Sequence, residues 1–292
     1  MTMRRFRLWL AFMALAASAL PAHAEPLKVV ASFSILGDLV SNVGGSGVEV
    51  ATLVGSDSDA HVYSPTPADA RKVADARLII INGFGFEGWL PRLVQSSGSK
   101  ATIVTASNGI PPLRLGGDAD PHAWQSVRNA KIYVSNIEAA LSAANPSGAE
   151  QFRANAEAYR ARLDALDREV SDAVAKLTPE RRKVISTHNA FGYFAASYGI
   201  EFVAPLGVST ESEPSARDIA KIITQVKQAK IPAVFLENVT DPRLMQRIAA
   251  ETGAKVGGTL YSDSLTGEKG DAPTYIDMVR HNIKALTRAL GD

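Results

Sequence analysis

Residues 149–177 read AEQFRANAEAYRARLDALDREVSDAVAKL, and the run contains neither glycine nor proline. Ala, Glu, Arg and Leu dominate it, and these residues favour helices, whereas Gly and Pro interrupt them. The run therefore predicts a single helix of about 29 residues, which would extend over about 44 Å at 1.5 Å per residue. Because this is longer than a typical helix of a globular domain, it predicts a rigid connector between two halves of the chain.

On either side of this run, short apolar stretches alternate with amphipathic ones, which is the pattern of βα units with parallel strands. The predicted strands are 27–32, 49–54, 78–82 and 102–105 before the long helix, and 183–186, 201–203, 233–236 and 255–259 after it. The other predicted helices are 69–76, 215–230, 242–252 and 275–290, with a further helical stretch from Asn129. We therefore predict an α/β fold with a first lobe over residues 25–145, a linking helix over 146–178 and a second lobe over 179–292.

The start of the chain has the pattern of a secretory signal peptide. Arg4, Arg5 and Arg7 precede an apolar run over residues 8–20, and Ala22-His23-Ala24 supplies a small-x-small cleavage pattern. The apolar run falls short of the ~20 residues that span a bilayer as a helix, which argues against a transmembrane anchor. We expect residues 1–24 to be removed by cleavage near Ala24 and the protein to be exported to the periplasm.

The composition excludes several classes of function. The chain has 31 Lys and Arg residues against 30 Asp and Glu residues, so it lacks the positive charge of a nucleic-acid-binding protein. It contains no cysteine, which excludes a thiol nucleophile, Cys-ligated zinc, an iron–sulfur cluster and attachment as a bacterial lipoprotein. Any metal must therefore be bound by histidines and carboxylates, and we expect the mature chain to be soluble in the periplasm.

A literal G-x-G-x-x-G sequence, GFGFEG, occupies residues 83–88 directly after a predicted strand. A dinucleotide site would also need an acidic residue at the end of the next strand to bind the ribose. That strand is followed by Ala106, Ser107 and Asn108 without an acid, and Pro91 interrupts the segment after the glycines. We therefore interpret residues 83–88 as a glycine-rich turn that lines the surface between the lobes.

Histidine is rare in the chain and unevenly placed. Of the five histidines, His23 lies in the signal peptide, and His281 lies among polar residues in the last predicted helix, where we expect a solvated face. His61, His122 and His188 each lie in a loop or at the end of a strand, which is where parallel α/β sheets bind their ligands.

Singly, each of these three residues is more often a hydrogen-bonded structural histidine than a metal ligand. Together they place two imidazoles in the first lobe and one in the second. Asp263 follows the strand predicted at 255–259, and an aspartate in such a loop is commonplace. As a second ligand from that lobe, however, it would complete a pseudo-tetrahedral site of three nitrogens and one oxygen.

Several short segments, taken in order along the chain, carry a family resemblance. They are DAHVYSP at 59–65, DPHAW at 120–124, HNAFGYF at 188–194, YGI at 198–200, STESEPS at 209–215, LEN at 236–238 and SDSL at 262–265. The chain resembles the periplasmic solute-binding proteins of ABC importers for zinc, manganese and iron over essentially the whole mature sequence. The resemblance implies two Rossmann-like lobes with parallel sheets, joined by one long α-helix that limits hinge motion, and a metal ion between the lobes.

The resemblance further implies that His61, His122, His188 and Asp263 bind the metal. Ala60 stands where one zinc-binding branch has a Glu that can ligate, so that alternative ligand is absent. The resemblance also implies a protein that is not an enzyme and that acts as a monomer. Its expected partner is an ABC permease at the inner membrane, and a periplasmic metallochaperone is a further candidate.

The ligand set favours zinc. Three imidazoles and one carboxylate form a borderline set that Zn2+ accepts in tetrahedral geometry, whereas Mn2+ prefers more oxygen ligands. Manganese-type relatives commonly have a Glu where this chain has His188. Mn2+ and Fe2+ stay as alternatives, since importers of the same type carry them.

Two functions of other classes are compatible with parts of the sequence. A secreted zinc hydrolase would keep an open position for water and a nearby general base, for which Glu211 or Glu237 could be nominated. Asp263 would close the open position, however, and the chain has no H-E-x-x-H spacing. A binder of an organic solute would need clustered aromatic residues and arginines, which the sequence does not show.

Overall fold

The computed structural model of the protein describes residues 25–291. The predicted signal peptide over residues 1–24 therefore lies outside the described residues. Within residues 25–291, no helix is long and apolar enough to cross a membrane. Two parallel four-stranded sheets and one long helix form the frame of this part of the chain, which confirms the predicted α/β fold with two lobes.

The first lobe is built on a parallel sheet with the strand order β2-β1-β3-β4. Its strands are β1 (Leu27–Phe33), β2 (Val48–Val54), β3 (Leu78–Ile81) and β4 (Thr102–Thr105), and its helices are α1 (Ser34–Gly44), α2 (Pro67–Asp75), α3 (Leu90–Ser97) and α4 (Val127–Ala144). In the inner strand β1, Val29 lies in the same apolar cluster as α1 and α4, whereas Val30 lies in that of α2 and α3. Helices therefore cover both faces of the sheet, which explains the continuous apolar sequence of its inner strands.

A small antiparallel hairpin extends from the first lobe. It consists of β5 (Arg114–Leu115) and β6 (Asp118–Ala119), and it directly precedes the loop that contains His122.

The predicted linking helix is α5 (Ala149–Ala175), which has 27 residues and ends slightly before its predicted end. Its length is about 40 Å at 1.5 Å per residue. Its buried side chains recur at helical spacing and form one stripe: Phe152, Ala156, Tyr159, Leu163, Leu166, Val170 and Val174. The helix packs against α1 and α4 of the first lobe and against the last helix of the chain. The connector is therefore fixed by packing to elements of both lobes.

The second lobe repeats the architecture with the strand order β10-β9-β7-β8. Its strands are β7 (Lys183–Ile185), β8 (Glu201–Val203), β9 (Ala233–Glu237) and β10 (Lys255–Leu260), and its helices are α6 (Gly192–Tyr198), α7 (Ala216–Ala229), α8 (Arg243–Thr252) and α9 (Tyr275–Leu290). All eight predicted strands are present, with bounds close to the predicted ones. In both lobes, the carboxyl ends of the strands are where the loops with the candidate ligands begin.

Several local features differ from the sequence-based predictions, which include neither α1, α3 and α6 nor the hairpin of β5 and β6. Pro91 lies in the first turn of α3, where its missing N–H is not needed, so it begins a helix rather than interrupting one. The sequence pattern also does not predict α1. Most residues of α1 are buried, so the helix lacks the polar face from which helical periodicity is recognised.

Candidate metal centre

The structure brings all four predicted ligands together between the lobes. His61 lies in the loop between β2 and α2, His122 in the loop after β6, His188 after β7 and Asp263 after β10. One potential ligand atom from each residue lies within 4.8 Å of those from the other three. The residues converge because the ligand-bearing edges of the two sheets face each other.

The distances within this cluster are those of neighbouring ligands on one ion. The Nε2 atom of His122 lies 3.3 Å from Nε2 of His61 and 3.4 Å from Nε2 of His188. The Oδ2 atom of Asp263 lies 3.1 Å from Nε2 of His188 and 3.5 Å from Nε2 of His61. Ligands bound to one tetrahedral ion at about 2.0–2.1 Å are separated by about 3.3 Å. These four separations match neighbouring ligands on one four-coordinate ion, and the remaining pairs of ligand atoms lie within 4.8 Å.

The cluster is almost closed to solvent. His122, His188 and Asp263 are fully buried, whereas His61 retains 9% exposure. Among the described residues, none donates a hydrogen bond of good geometry to either carboxylate oxygen of Asp263. A buried carboxylate without donors is costly unless a positive charge lies beside it. Burial would raise the pKa of Asp263, but the adjacent imidazoles, above all protonated His188, outweigh burial and hold that pKa well below its usual range.

Asp120 orients His122. Its Oδ1 atom accepts hydrogen bonds from the backbone N–H of His122 at 2.9 Å and from Nδ1 at 2.8 Å. With the proton on Nδ1, the lone pair of Nε2 faces the centre of the cluster. Burial lowers the pKa of His122, although the carboxylates of Asp263 and Asp120 oppose that effect. A neutral imidazole, which is the form that binds metal, is therefore favoured here.

Glu237, at the end of β9, orients His188. Its Oε2 atom lies 2.5 Å from Nδ1 of His188, and Oε1 accepts hydrogen bonds from the backbone N–H groups of Thr187 and His188. Burial opposes protonation of His188, but the charges of Glu237 and Asp263 outweigh burial and hold its pKa well above the usual range. From the sequence alone, Glu237 is a candidate only for a hydrolytic base. Its carboxylate instead holds His188 and two backbone amides.

His61 is held differently from the other two histidines. No described residue hydrogen-bonds to its Nδ1 atom, and its backbone N–H donates to Oδ1 of Asp59 at 2.8 Å. The ring of Phe86 packs against the imidazole with a centroid distance of 4.8 Å and an interplanar angle of 81°. His61 is thus oriented by its loop and by an aromatic contact rather than by a carboxylate.

The glycine-rich sequence at 83–88 forms one wall of this centre. Gly83 has φ +93°, and a Cβ atom there would lie 2.5 Å from the side chain of Thr105. The turn directs Glu87 inward, where it accepts hydrogen bonds from Ser32 Oγ and the backbone N–H of Asn82, both at 2.6 Å. It also places Phe86 against His61. This position agrees with the prediction that residues 83–88 form a turn that lines the space between the lobes. The sequence did not predict the contact of Phe86 with His61 or the buried hydrogen bonds of Glu87.

The loop with Asp263 is attached to the first lobe although it follows a strand of the second. The carbonyl oxygen of Ser262 accepts hydrogen bonds from Trp124 Nε1 at 2.9 Å and Gln125 Nε2 at 2.7 Å. The backbone N–H of Leu265 donates to Ser34 Oγ at 3.0 Å. Asp263 therefore follows a strand of the second sheet but is held by hydrogen bonds of its loop to the first lobe.

His281 lies outside the cluster, as expected, but its predicted solvated position is wrong. The residue is half-buried, and its Nε2 atom lies 3.1 Å from the carbonyl oxygen of Thr259. Its ring packs against Tyr261 with a centroid distance of 4.8 Å. It is a structural histidine of the second lobe.

Two parallel α/β lobes, a linking helix and an enclosed cluster of three histidines and one aspartate define a metal-binding protein of the solute-binding class. The family model described as "Zinc-uptake complex component A periplasmic" matches residues 29–289. The chain belongs to this family. Proteins of this family are substrate-binding components of ABC importers and not enzymes. Family membership thereby confirms the predicted class and decides against a secreted hydrolase.

Relatives named for different metals match nearly the whole chain. The manganese-binding lipoprotein MntA of Halalkalibacterium halodurans is 36% identical over 91% of this chain and 89% of its own. The iron-binding protein YfeA of Yersinia pestis is 34% identical over 92% of this chain and 88% of its own.

The solved structures that match this chain are also named for different metals. The periplasmic zinc binding protein TroA from Treponema pallidum matches with a TM-score of 0.87 and 31% identity, over 91% of this chain and 99% of that one. A manganese-bound periplasmic metal binding protein from Candidatus Liberibacter asiaticus matches with a TM-score of 0.83 and 32% identity, over 90% of this chain and 98% of that one. The chain is a metal-binding substrate-binding protein of an ABC importer.

Proposed function

We propose that this protein captures a divalent transition metal ion in the periplasm through His61, His122, His188 and Asp263 and delivers it to an ABC permease, with Zn2+ as the preferred ion. The observation that carries the proposal is the spacing of the four side chains. Neighbouring ligand atoms lie 3.1–3.5 Å apart. These separations are close to the about 3.3 Å between ligands that bind one tetrahedral ion at about 2.0–2.1 Å.

The chemistry of the ligands supports zinc as the cargo. Three imidazole nitrogens and one carboxylate oxygen suit Zn2+ in tetrahedral geometry, and an N/O site ranks Zn2+ above Fe2+ and Mn2+ in affinity. The similar fold of a protein named for zinc, TroA, agrees with this preference.

Manganese is the second candidate, and iron(II) the third. Both oxygens of Asp263 face the histidines, because Oδ1 lies 3.4 Å from Nε2 of His122 while Oδ2 lies 3.1 Å from Nε2 of His188. A carboxylate in this orientation could bind through both oxygens and raise the coordination number, as harder ions prefer. Relatives named for manganese and iron also support these alternatives.

Metal analysis of purified protein and competition titrations with Zn2+, Mn2+ and Fe2+ would test the assignment. We expect the alanine variants of His61, His122, His188 and Asp263 each to bind metal more weakly, and Zn2+ to displace Mn2+ from the wild type. His281→Ala is the matched control, because it removes an imidazole outside the cluster. Equal loss of metal in His281→Ala, or unchanged affinity in His188→Ala, would contradict the ligand set.

The two-lobe architecture supports the proposed delivery. We propose a first lobe over residues 25–145, a linking helix over 146–178 and a second lobe over 179–292, with the ion released as a permease at the inner membrane separates the lobes. Packing of α5 against α1, α4 and α9 supports a small tilt rather than a wide hinge motion. Because one chain supplies all four ligands, we further propose that the protein works as a monomer, loaded from free metal or by a metallochaperone.

The proposed location is the periplasm, after cleavage near Ala24. Relatives of this chain are named lipoproteins. This sequence contains no cysteine to carry a lipid. We therefore propose a periplasmic protein that is not tethered through a lipid. Fractionation of cells and mass analysis of the mature amino terminus would test this, since a lipid-modified mass or a membrane-bound fraction would contradict it.

A further inference from the structure

Asp59 contacts both lobes within one side chain. Its Oδ1 atom accepts the backbone N–H of His61 at 2.8 Å. Its Oδ2 atom accepts a hydrogen bond from Thr210 Oγ1 at 2.6 Å, across 151 residues of sequence. Thr210 lies between β8 and α7 of the second lobe. We refer to the hydrogen bond between Asp59 and Thr210 as the cross-lobe bond.

The cross-lobe bond acts on the ligand with the fewest other constraints. His122 and His188 are each fully buried and held by a carboxylate at Nδ1. His61 has neither property, and its loop between β2 and α2 forms no helix or strand. The position of His61 therefore depends on the contacts of this loop. Asp59 supplies two of them, one hydrogen bond to the backbone of His61 and one to Thr210 of the second lobe.

A cleft of about 480 Å³ lies beside the cross-lobe bond and is lined by Asp59, Thr187 and Thr210, among other residues. Thr187 directly precedes His188, and Asp59 lies two residues before His61, so the cleft borders two segments that carry ligands. Thr187 is only 2% exposed, and its hydroxyl oxygen has no hydrogen-bond partner among the described residues. A buried polar atom without a partner in a cleft indicates a place that water or a passing polar ligand occupies.

We propose that Asp59 and Thr210 are positioning residues that retain the metal ion: the cross-lobe bond holds His61 in its binding position, and the ion leaves past His61 into this cleft when the bond breaks. The inference rests on the proposed function, because it assumes that His61 is a ligand. It adds the route of release and the contact that controls its rate. Opening the lobes separates Asp59 from Thr210, so release is coupled to the motion that a permease would drive.

The test is the rate at which Zn2+ dissociates from the full-length mature protein into an excess of a colorimetric chelator, measured by stopped flow. Thr210→Val keeps the shape of the side chain and removes the donor of the cross-lobe bond. Loss of a hydrogen bond to a charged acceptor corresponds to a factor of about 10 or more, so we expect dissociation to accelerate about tenfold. The association rate is expected to stay unchanged, because the ion meets the same ligands.

Three further variants make the result specific. Thr210→Ser keeps the hydroxyl and is expected to release Zn2+ at the wild-type rate. Asp59→Ala removes both hydrogen bonds of Asp59 and should release Zn2+ faster than Thr210→Val. Thr224→Val is the matched control, because it makes the same chemical change at an exposed residue of α7.

The outcomes separate this inference from the proposed function. If the wild type binds no Zn2+, Mn2+ or Fe2+, the proposed function fails and this inference fails with it. If the wild type binds Zn2+ but Thr210→Val releases it at the rate of the wild type and Thr224→Val, the proposed function stands and the cross-lobe bond does not retain the ion. Slow release by Thr210→Ser and fast release by Thr210→Val, with equal melting temperatures of the metal-free proteins, would support the inference.

Discussion

The Oε2 atom of Glu237 lies 2.5 Å from the Nδ1 atom of His188, while Oε1 of the same carboxylate accepts the backbone N–H groups of Thr187 and His188. Both residues are buried at the ends of neighbouring strands, β9 and β7. The carboxylate therefore fixes the backbone, the ring orientation and the tautomer of one imidazole together. It does so from outside the cluster, at Nδ1, while Nε2 of the same ring faces the other three residues.

Replacement of Glu237 by Gln is expected to weaken metal binding without removing a ligand. The amide keeps the size of the side chain but loses the charge that makes the imidazole a stronger donor, an effect that typically costs 10–100-fold in metal affinity. Competition titration with Zn2+ measures this change. Glu211→Gln, at an exposed position, is the control, and equal affinities in the two variants would contradict the role of Glu237.

Metal binding is expected to release about one proton at neutral pH, because the proton and the metal compete for the same imidazole. The carboxylates of Glu237 and Asp263 raise the pKa of His188 well above its usual range despite burial. In the metal-free protein, His188 therefore stays protonated above the pH at which a free histidine loses its proton. The affinity for Zn2+ should therefore rise with pH through the neutral range. Below about pH 6 it should be weaker still, because the other imidazoles are protonated as well.

Calorimetric titration in buffers of different ionisation enthalpy measures the number of protons released. The same titration of Glu237→Gln should release fewer protons at neutral pH, because one of the two charges that hold the proton is gone. A wild-type affinity for Zn2+ that is the same at pH 5 as at pH 7.5 would contradict this account.

Asp69 is expected to stabilise the start of α2, and its effect should depend on pH. Its carboxylate accepts hydrogen bonds from Thr66 and from Tyr63, and its Oδ1 atom lies 3.0 Å from Lys72 Nζ. Burial would raise the pKa of Asp69, but these contacts outweigh it and lower the pKa to about 2. A lowered pKa contributes stability above the usual pKa of an aspartate, and this stability is lost as the pH falls toward 2.

We expect Asp69→Asn to lose about 2 kcal/mol of unfolding free energy at pH 7. The difference from the wild type should shrink as the pH falls from 5 to 3. Urea unfolding at several pH values measures both effects. Asp75→Asn, at an exposed position of the same helix, is the control, and a difference that does not change with pH would show that the hydrogen bonds act without the charge.

The strands could be predicted from local sequence, whereas the four clustered residues were local candidates that the family resemblance assigned to one metal site. Apolar runs such as residues 78–81 predict buried parallel strands, and loops that follow such strands lie at the edge of the sheet where ligands bind. The role of Glu237 could not be predicted in this way, because it depends on β9 lying beside β7, and the two residues are separated by 49 positions. Phe86 was missed for a related reason, since its contact with His61 depends on a turn whose only local signal is the glycines.

Removal of the metal is expected to destabilise the protein, and Asp263 is the residue that explains why. Its carboxylate is fully buried, and in the metal-free protein the charge beside it is that of protonated His188, whose Nε2 atom lies 3.1 Å from Oδ2. A bound divalent ion would place two positive charges there in exchange for that proton. A ligand that binds only the folded state at a concentration 1,000 times its Kd adds about 4 kcal/mol to the free energy of unfolding. We therefore expect treatment with a chelator to lower the melting temperature, and addition of Zn2+ to restore it. Asp263→Ala removes one of the four proposed ligands, so the gain on adding Zn2+ should be much smaller than in the wild type. Asp271→Ala removes an exposed carboxylate from the same loop and should keep the full gain. An equal response to Zn2+ in the Asp263→Ala and Asp271→Ala variants would mean that the ion is bound elsewhere.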